Sequence, residues 1–446
     1  MEDRDPLVGS DKKYIILTYG CQMNERDSEV IAGLLESSGY RCADSLDDTD
    51  LVVFNTCSVR HSAENKVYGK LGEIKKLKTE KRHLKVAFGG CMAQLEDVRK
   101  RLGNLGVDLV FGTHNVHELP EMLEQMYERR KRYVRVWDKP GEVVEGLPSI
   151  RNIGLTAFVN IMYGCNNYCA YCIVPYVRGQ ERSREPDQIV AEIQQLVDKG
   201  VKEVTLLGQN VNSYGKGLAQ EIDFSDLLAK VNSIEGLLRV RFMTSHPRDF
   251  NDKLIDTVSS LDKVCEHIHI PMQAGSNKIL KMMNRGYTRE QYFALIDRIR
   301  DRVSGSAITT DLIVGFPGEE EVDFNHTIEA VDRIRFDGAF TFIYSKRTGT
   351  RACDMENHVP LDEKRRRLML LNDIQYRIAR ESNDRYLNEV VEILVEGPSK
   401  NNQTKLTGRT RTNRIVVFDG PDDLIGQMTK IRITESGTFT LFGEKL

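Results

Sequence analysis

The chain has 446 residues, enough for about three domains. Its 63 Lys and Arg against 66 Asp and Glu leave a formal net charge of −3, which excludes a histone-like coat of nucleic acid and requires any RNA to be met by a local basic face. With 40% hydrophobic and 29% charged residues, no apolar run long enough to span a membrane and no apolar signal core at the amino terminus, the chain reads as globular, with a cytoplasmic location and no membrane partner expected.

In chain order, the first predicted strands cover 14–18, 51–55, 86–88 and 108–111, with a helix over about 28–37. Short β-branched and aromatic runs alternating with helical stretches predict an open parallel α/β sheet, in a domain spanning 12–137. Three of these runs end at Gly20-Cys21, Thr56-Cys57 and Gly89-Gly90-Cys91. Ligands of such sheets sit at the carboxyl edge. Three thiols far apart in sequence can therefore converge there, although free cysteine is also among the most buried residue types and three separate core thiols remain the alternative.

Residues 138–155 read as a linker, with Gly, Pro and no clear period. A second α/β region follows within 151–383. Its predicted strands are 157–162, 203–207, 240–243, 267–270, 308–314 and 339–344, with helices such as 186–198 and 289–302 between them. Six β-α units are too few for a closed eight-stranded barrel, so a partial (β/α)6 barrel is expected. After a charged helix over 362–384, the tail changes character. Five short runs at 390–395, 404–409, 414–418, 427–434 and 438–442 predict a small antiparallel β-barrel over 384–446, of the oligonucleotide-binding sort. Lys400, Lys405, Arg409, Arg411 and Arg414 cluster there as a basic stripe that suits RNA phosphates, or else as a solvated face.

Nine cysteines in a chain expected to be cytosolic point to metal or redox chemistry more than to disulfides. Only Cys165, Cys169 and Cys172 are tightly spaced, in Cys165-Asn-Asn-Tyr-Cys169-Ala-Tyr-Cys172 after the first strand of the second region. Zinc sites usually draw four ligands from two closely spaced pairs, and no partner pair follows here. Three thiolates on a four-iron cluster would leave one iron open to a substrate or cofactor.

This Cys-x3-Cys-x2-Cys loop resembles the signature of radical S-adenosylmethionine enzymes, and the resemblance extends over nearly the whole chain. Thr18-Tyr-Gly-Cys21-Gln-Met-Asn24, Asn55-Thr-Cys57-Ser-Val-Arg60 and Gly89-Gly-Cys91-Met resemble the amino-terminal domain of the methylthiotransferases. Pro175-Tyr-Val-Arg-Gly179, Arg182-Ser-Arg184, Ser245-His-Pro-Arg248, Pro271-Met-Gln-Ala-Gly-Ser276, Arg285-Gly-Tyr-Thr-Arg289 and Asp311-Leu-Ile-Val-Gly-Phe-Pro-Gly318 resemble their core. The tail resembles their TRAM-like RNA-binding barrel. The Gln-Met after Cys21 is most similar to the branch acting on N6-dimethylallyladenosine of tRNA.

The resemblance implies two 4Fe-4S clusters, a radical one on Cys165, Cys169 and Cys172 and an auxiliary one on Cys21, Cys57 and Cys91. It implies two S-adenosylmethionine per turnover, one as methyl donor and one as source of the 5′-deoxyadenosyl radical, and carbon 2 of the prenylated adenine next to the anticodon (position 37) as the target. It places cofactor contacts at Tyr171, Gly208, Gln209, Asn210, Gln273 and Gly315, the last in a turn whose glycines would admit the adenosyl group closely. The implied partners are the tRNA anticodon stem-loop, an electron donor such as a flavodoxin or ferredoxin, and a sulfur source; a monomer is expected. His267 and His269, on one strand face, are expected to pack or hydrogen-bond near the barrel mouth. Two alternatives stay open: methylthiolation of N6-threonylcarbamoyladenosine, and a non-catalytic iron–sulfur or zinc RNA-binding protein.

Overall fold

The computed structural model describes residues 11–58, 61–129, 131–151 and 154–446, the side chains of 61–63 excepted. Arg60, which closes one of the motifs above, and the linker positions 152 and 153 lie outside the described residues. Two compact units emerge, one from residues 1–152, 162–166 and 172–184, the other from 153–161, 167–171 and 185–446. The cysteine loop is thus shared: Cys165 and Cys172 group with the first unit and Cys169 with the second.

The first unit is built on a parallel six-stranded sheet. Strands Lys13–Thr18, Leu51–Thr56, Lys85–Gly90 and Leu109–Phe111 stand where the apolar runs predict them. Two short edge strands, Arg41–Cys42 and Tyr133–Arg135, complete it. Alternate residues face opposite layers. Leu51, Val53, Ala87 and Phe111 pack with helices Gln22–Ser37 and Leu119–Glu128, whereas Val52, Phe54, Val86 and Phe88 pack under His61–Glu80 and Glu96–Leu102. Burial on both faces is why these strands read as continuous apolar runs rather than alternating ones. The helix starts at Gln22, earlier than its periodicity, because its first turns, Gln22-Met-Asn-Glu-Arg-Asp, are largely polar.

The core of the second unit has two three-stranded parallel sheets, Thr156–Asn160, Glu203–Leu207 and Arg239–Phe242, then His267–His269, Ala307–Val314 and Gly338–Ile343. A parallel bridge between Val240 and Val264 continues one into the other, so six strands run in chain order as a partial barrel. Helices Pro186–Asp198 and Arg289–Arg302 fall where predicted.

The tail forms a closed five-stranded barrel, Val390–Pro398, Leu406–Thr410, Ile415–Asp419, Met428–Ser436 and Thr440–Lys445. It is antiparallel except that Ile415–Asp419 and Thr440–Lys445 run parallel, which closes the ring. This barrel is fastened to the core by arginines. Arg241 donates to Glu203 Oε1 (2.8 Å) and to the carbonyls of Thr410 (2.8 Å) and Arg411 (2.7 Å), and Arg239 donates to the carbonyls of Arg409 (2.5 Å) and Glu392 (3.3 Å).

The expected basic stripe is largely paired with carboxylates, of the core or of the barrel itself. Arg411 forks onto Glu266 (2.6–3.0 Å) and reaches the carbonyls of Asp262 and Val264. Arg414 pairs with Asp337 (2.5 Å), Arg409 with Glu396 (3.0 Å) and Lys405 with Asp419 (3.2 Å), while Lys400 is exposed. Composition places these cations on one strand pair but does not say which of them turn toward the core carboxylates.

Candidate active site

Cys21, Cys57 and Cys91 stand directly after Lys13–Thr18, Leu51–Thr56 and Lys85–Gly90, three adjacent strands of one sheet. Two glycines let these ends approach. A Cβ on Gly20 would lie 2.7 Å from Cys57 Cβ and 2.4 Å from Asn24 Oδ1, and one on Gly90, whose φ is +88°, would lie 2.3 Å from the Thr56 carbonyl. Asn24 and Asn55 lock the strand ends. Asn24 Nδ2 donates to Asn55 Oδ1 and the Thr56 carbonyl (3.2 Å each), and Asn55 Nδ2 donates to the Asn24 carbonyl (2.8 Å).

The electrostatics favour thiolate at Cys21. A hydrogen bond from Cys57 brings Cys21 down to about 6, helped by the charge of Arg178 and by backbone amides at the start of its helix. Burial pushes Cys91 up, and Arg178 opposes it. Arg178 Nε donates to Cys91 Sγ (3.3 Å) and its Nη2 donates to Asp27 Oδ2 (2.7 Å). Burial works against the Arg178 charge, but Asp27, Cys91 and Cys21 outweigh it.

In the second unit a comparable arginine serves the cysteine loop. Arg285, buried, donates to Cys169 Sγ (3.2 Å), to the Pro271 carbonyl (3.0 Å) and more loosely to Tyr171 Oη (3.5 Å), with its guanidinium over the Tyr287 ring. Tyr171 also packs against the apolar cluster of Ala170, Ala274 and Phe316. In the first unit the Cys165 amide donates to the Gly179 carbonyl (3.0 Å). Arg178, Asp27 and Arg285 were not singled out by the sequence; the quoted motifs around Pro175 and Arg285 held two of them, without a partner to give them meaning.

Among the described residues no three His, Cys, Asp or Glu side chains gather tightly enough to grip one metal ion. A four-iron cluster makes a different demand, because each thiolate binds its own iron and the sulfurs spread around the cube. Three sheet-end thiols with a buried cation beside them fit that group.

The candidate cofactor contacts divide. Asn210 Nδ2 donates to Asp249 Oδ2 (2.8 Å), while its buried Oδ1 has no hydrogen-bond partner among the described residues; neither have Ser245 Oγ and His246 Nε2. These orphaned atoms follow strands Glu203–Leu207 and Arg239–Phe242, and a β-branched residue with φ +70°, Thr244, introduces the last two. His246 Nδ1 accepts from the Arg248 amide (3.3 Å), and burial, then Arg285, lower the ring to about 2, so it is neutral and presents Nε2–H. Unfilled donors and acceptors at a carboxyl sheet edge suit a polar cofactor such as S-adenosylmethionine. Gly208 is buried and Gln209 half-buried at the same strand end. Gln273 is buried with φ +71°, bridged to Leu312.

Gly315 is crowded on the side where a Cβ would stand. A Cβ there would meet Lys364 Cγ at 2.3 Å, so this glycine makes room for a lysine stem whose Nζ donates to the Tyr344 carbonyl. His267 and His269 hydrogen-bond through Thr309 Oγ1 (3.3 and 3.0 Å), as their shared strand face predicts.

Three family models match the chain: the Radical SAM superfamily over residues 159–331, the uncharacterized protein family UPF0004 over 13–112 and the TRAM domain over 384–446. The tRNA-2-methylthio-N(6)-dimethylallyladenosine synthase of Syntrophomonas wolfei is 60% identical over 97% of this chain and 97% of its own. That of Carboxydothermus hydrogenoformans is 53% identical over 97% and 99%. The fold is shared with a radical S-adenosylmethionine methyltransferase, TsrM, from Kitasatospora setae, at a TM-score of 0.56 and 16% identity over 74% of this chain and 73% of that one. Among the described residues no helix is long and apolar enough to cross a membrane. With the three cysteine-bearing strand ends, the radical core and the closing barrel all accounted for, the chain belongs to the radical S-adenosylmethionine methylthiotransferases, a family of enzymes that depend on an iron–sulfur cluster and S-adenosylmethionine.

Proposed function

We propose that this chain methylthiolates carbon 2 of N6-dimethylallyladenosine beside the tRNA anticodon, at position 37, using two S-adenosylmethionine per turnover. The observation that carries this reading is the meeting of Cys21, Cys57 and Cys91 at the ends of three adjacent parallel strands, with Arg178 donating to Cys91 Sγ. Similarity along 97% of both chains to a synthase named for that nucleoside supports the substrate.

When bound, a four-iron cluster at Cys165, Cys169 and Cys172 would supply the electron that splits S-adenosylmethionine, and a second at Cys21, Cys57 and Cys91 would hold the sulfur to be transferred. Acid–base catalysis offers only about 10²–10⁴-fold, too little for the inert C–H bond at carbon 2. The chain's own share is therefore binding, orientation and exclusion of side reactions. Arg285 would fix the loop at Cys169 and Tyr171. Arg178, held by Asp27, would fix Cys91. Asn210 Oδ1, Ser245 Oγ and the His246 Nε2–H would meet the polar ends of the cofactor, with Gly208, Gln209 and Gln273 shaping the same edge. Electrons and sulfur would come from outside the chain, from a low-potential carrier such as a flavodoxin or ferredoxin and from a sulfur donor.

Nucleoside mass spectrometry of tRNA from cells lacking this protein tests the reading. The 2-methylthio nucleoside should vanish and its prenylated precursor accumulate. Loss of a methylthiolated threonylcarbamoyladenosine instead would move the substrate to that nucleoside.

A further inference from the structure

The register of the last three core strands sorts their side chains into two faces. His269 pairs with Thr309, Asp311 with Phe340 and Ile313 with Phe342, and in a parallel ladder paired residues share a face. The opposite face carries Thr341, whose hydroxyl donates to Asn372 of helix Leu361–Asp384 (2.6 Å), so that side is covered by helix. His267, His269, Thr309, Asp311, Ile313, Phe340 and Phe342 therefore line the inner, concave face of the partial barrel. Contacts agree: Thr309 joins the two histidines, His269 Nε2 lies 3.6 Å from Asp311, and the His269 ring meets Phe340 edge-on at 5.9 Å.

On this inner face two aromatic rings are left uncovered. Phe340 is 53% exposed and Phe342 38%, although they belong to a core strand. Adjacent exposed rings inside a concave surface mark a ligand surface more than chance. Ile313, in register with Phe342, packs against the apolar cluster that includes Ala170 of the cysteine loop. The uncovered rings thus stand near the end of the barrel at which the radical would be made.

The charges on this face narrow the occupant. Arg241 and Arg239 are spent on Glu203 and on carbonyls of the closing barrel. The ionisable residue in register with Phe340 is a carboxylate, Asp311, which has the imidazole of His269 at 3.6 Å and no lysine or arginine paired with it among the described residues. A substituent ending in a carboxylate, such as threonylcarbamoyl, would face like charge and two phenyl rings. An uncharged branched alkenyl group gains apolar contact with those rings and leaves no buried charge unpaired.

We propose that Phe340 and Phe342 form the surface that receives the N6-alkenyl group of the target adenine, and that Asp311 beside them excludes N6 substituents carrying a carboxylate. The proposal rests on the tRNA reading above and adds the residues that choose between its two nucleosides. Removing an apolar contact of this size from a pocket changes discrimination by roughly tenfold or more.

The test is binding of a fluorescent anticodon stem-loop to the full-length, anaerobically reconstituted protein. Three versions of one RNA are compared, with unmodified adenosine, N6-dimethylallyladenosine or N6-threonylcarbamoyladenosine at the target position. The wild type should bind the prenylated RNA at least tenfold more tightly than the other two. Phe340→Ala and Phe342→Ala should bring the prenylated-to-unmodified ratio to within about twofold, and Phe342→Leu should keep part of it. Asp311→Asn should improve binding of the threonylcarbamoyl RNA selectively. Because each result is a ratio within one protein, general damage to a variant cancels, and iron content and melting temperature identify any variant that fails to fold. Variants that keep the wild-type ratio, or a wild type without preference, would overturn the assignment of these residues. Absence of methylthio product from the wild type with prenylated tRNA would instead overturn the tRNA reading.

Discussion

The guanidinium of Arg178 donates from Nε to Cys91 Sγ at 3.3 Å while its Nη2 holds Asp27 at 2.7 Å, so one buried cation is shared between a carboxylate and a strand-end thiol. Arg285 stands in the same relation to Cys169, at 3.2 Å. Hydrogen bonds and positive charge at a cluster's sulfurs favour its reduced, more negative state. Arg178→Gln should lower the midpoint potential of the cluster assigned to Cys21, Cys57 and Cys91 by about 60 mV or more, tenfold in one-electron occupancy. Redox titration followed by electron paramagnetic resonance checks this; an unchanged potential would reduce Arg178 to a packing role.

Gly20 and Gly90 carry a second prediction. Either Gly→Ala change drives a Cβ into Cys57 or the Thr56 carbonyl and pushes the strand ends apart. Gly20→Ala should lower iron content from about eight to about four per chain. The signal from the cluster assigned to Cys165, Cys169 and Cys172 should persist. Full iron content in the variant would show that this close approach is not needed for the second cluster.

The closing barrel should not come away cleanly. Arg241 is buried against Glu203 and two barrel carbonyls, and removing one partner of a buried pair costs roughly 3–5 kcal/mol. Arg241→Ala should destabilise the chain by about that amount in urea unfolding, whereas Lys400→Ala, on the surface, should change it by less than about 0.5 kcal/mol. Equal effects would mean the arginine clamp contributes little.

Acid should weaken the fold through its buried histidines. Burial lowers His267 to about 3, and lowers His246 to about 2. Below about 6.5 the unfolded histidines take up protons and the folded ones do not, so stability is complete above that pH and falls as pH drops toward the folded values. Each contributes a slope of roughly 1 kcal/mol per pH unit in that window. His267→Gln should flatten the dependence of the urea midpoint between pH 6.5 and 5 by about one such slope; an unchanged slope would show that His267 protonates in the folded state.

What could be read from the sequence was whatever depended on local period and punctuation. Apolar runs ending at Gly-Cys or Thr-Cys located the three adjacent strand ends, and the tight triple-cysteine loop marked the other candidate site. Strands of two or three residues, Arg41–Cys42 and Tyr133–Arg135, are too short to show a period. The arginines were opaque for a different reason: Arg178 finds Cys91 87 positions away and Arg285 finds Cys169 116 away, and only the tertiary fold makes either pair. The same blindness left Arg411 and Arg414 in a stripe for RNA phosphates or a solvated face, when Glu266 and Asp337 draw them to the core. At Gly315, Lys364 of helix Leu361–Asp384 takes up the space beside the backbone.

One measurement separates the roles of the two cysteine sets within a single reaction. A Cys21→Ala, Cys57→Ala, Cys91→Ala protein is reconstituted anaerobically with iron and sulfide and given reductant, S-adenosylmethionine and prenylated tRNA. Mass spectrometry then follows both 5′-deoxyadenosine and the modified nucleoside. Continued 5′-deoxyadenosine formation with no methylthiolated nucleoside is the expected result. Methylthiolated product at near wild-type yield would contradict it, placing the transferred sulfur elsewhere and leaving the three strand-end cysteines as core thiols.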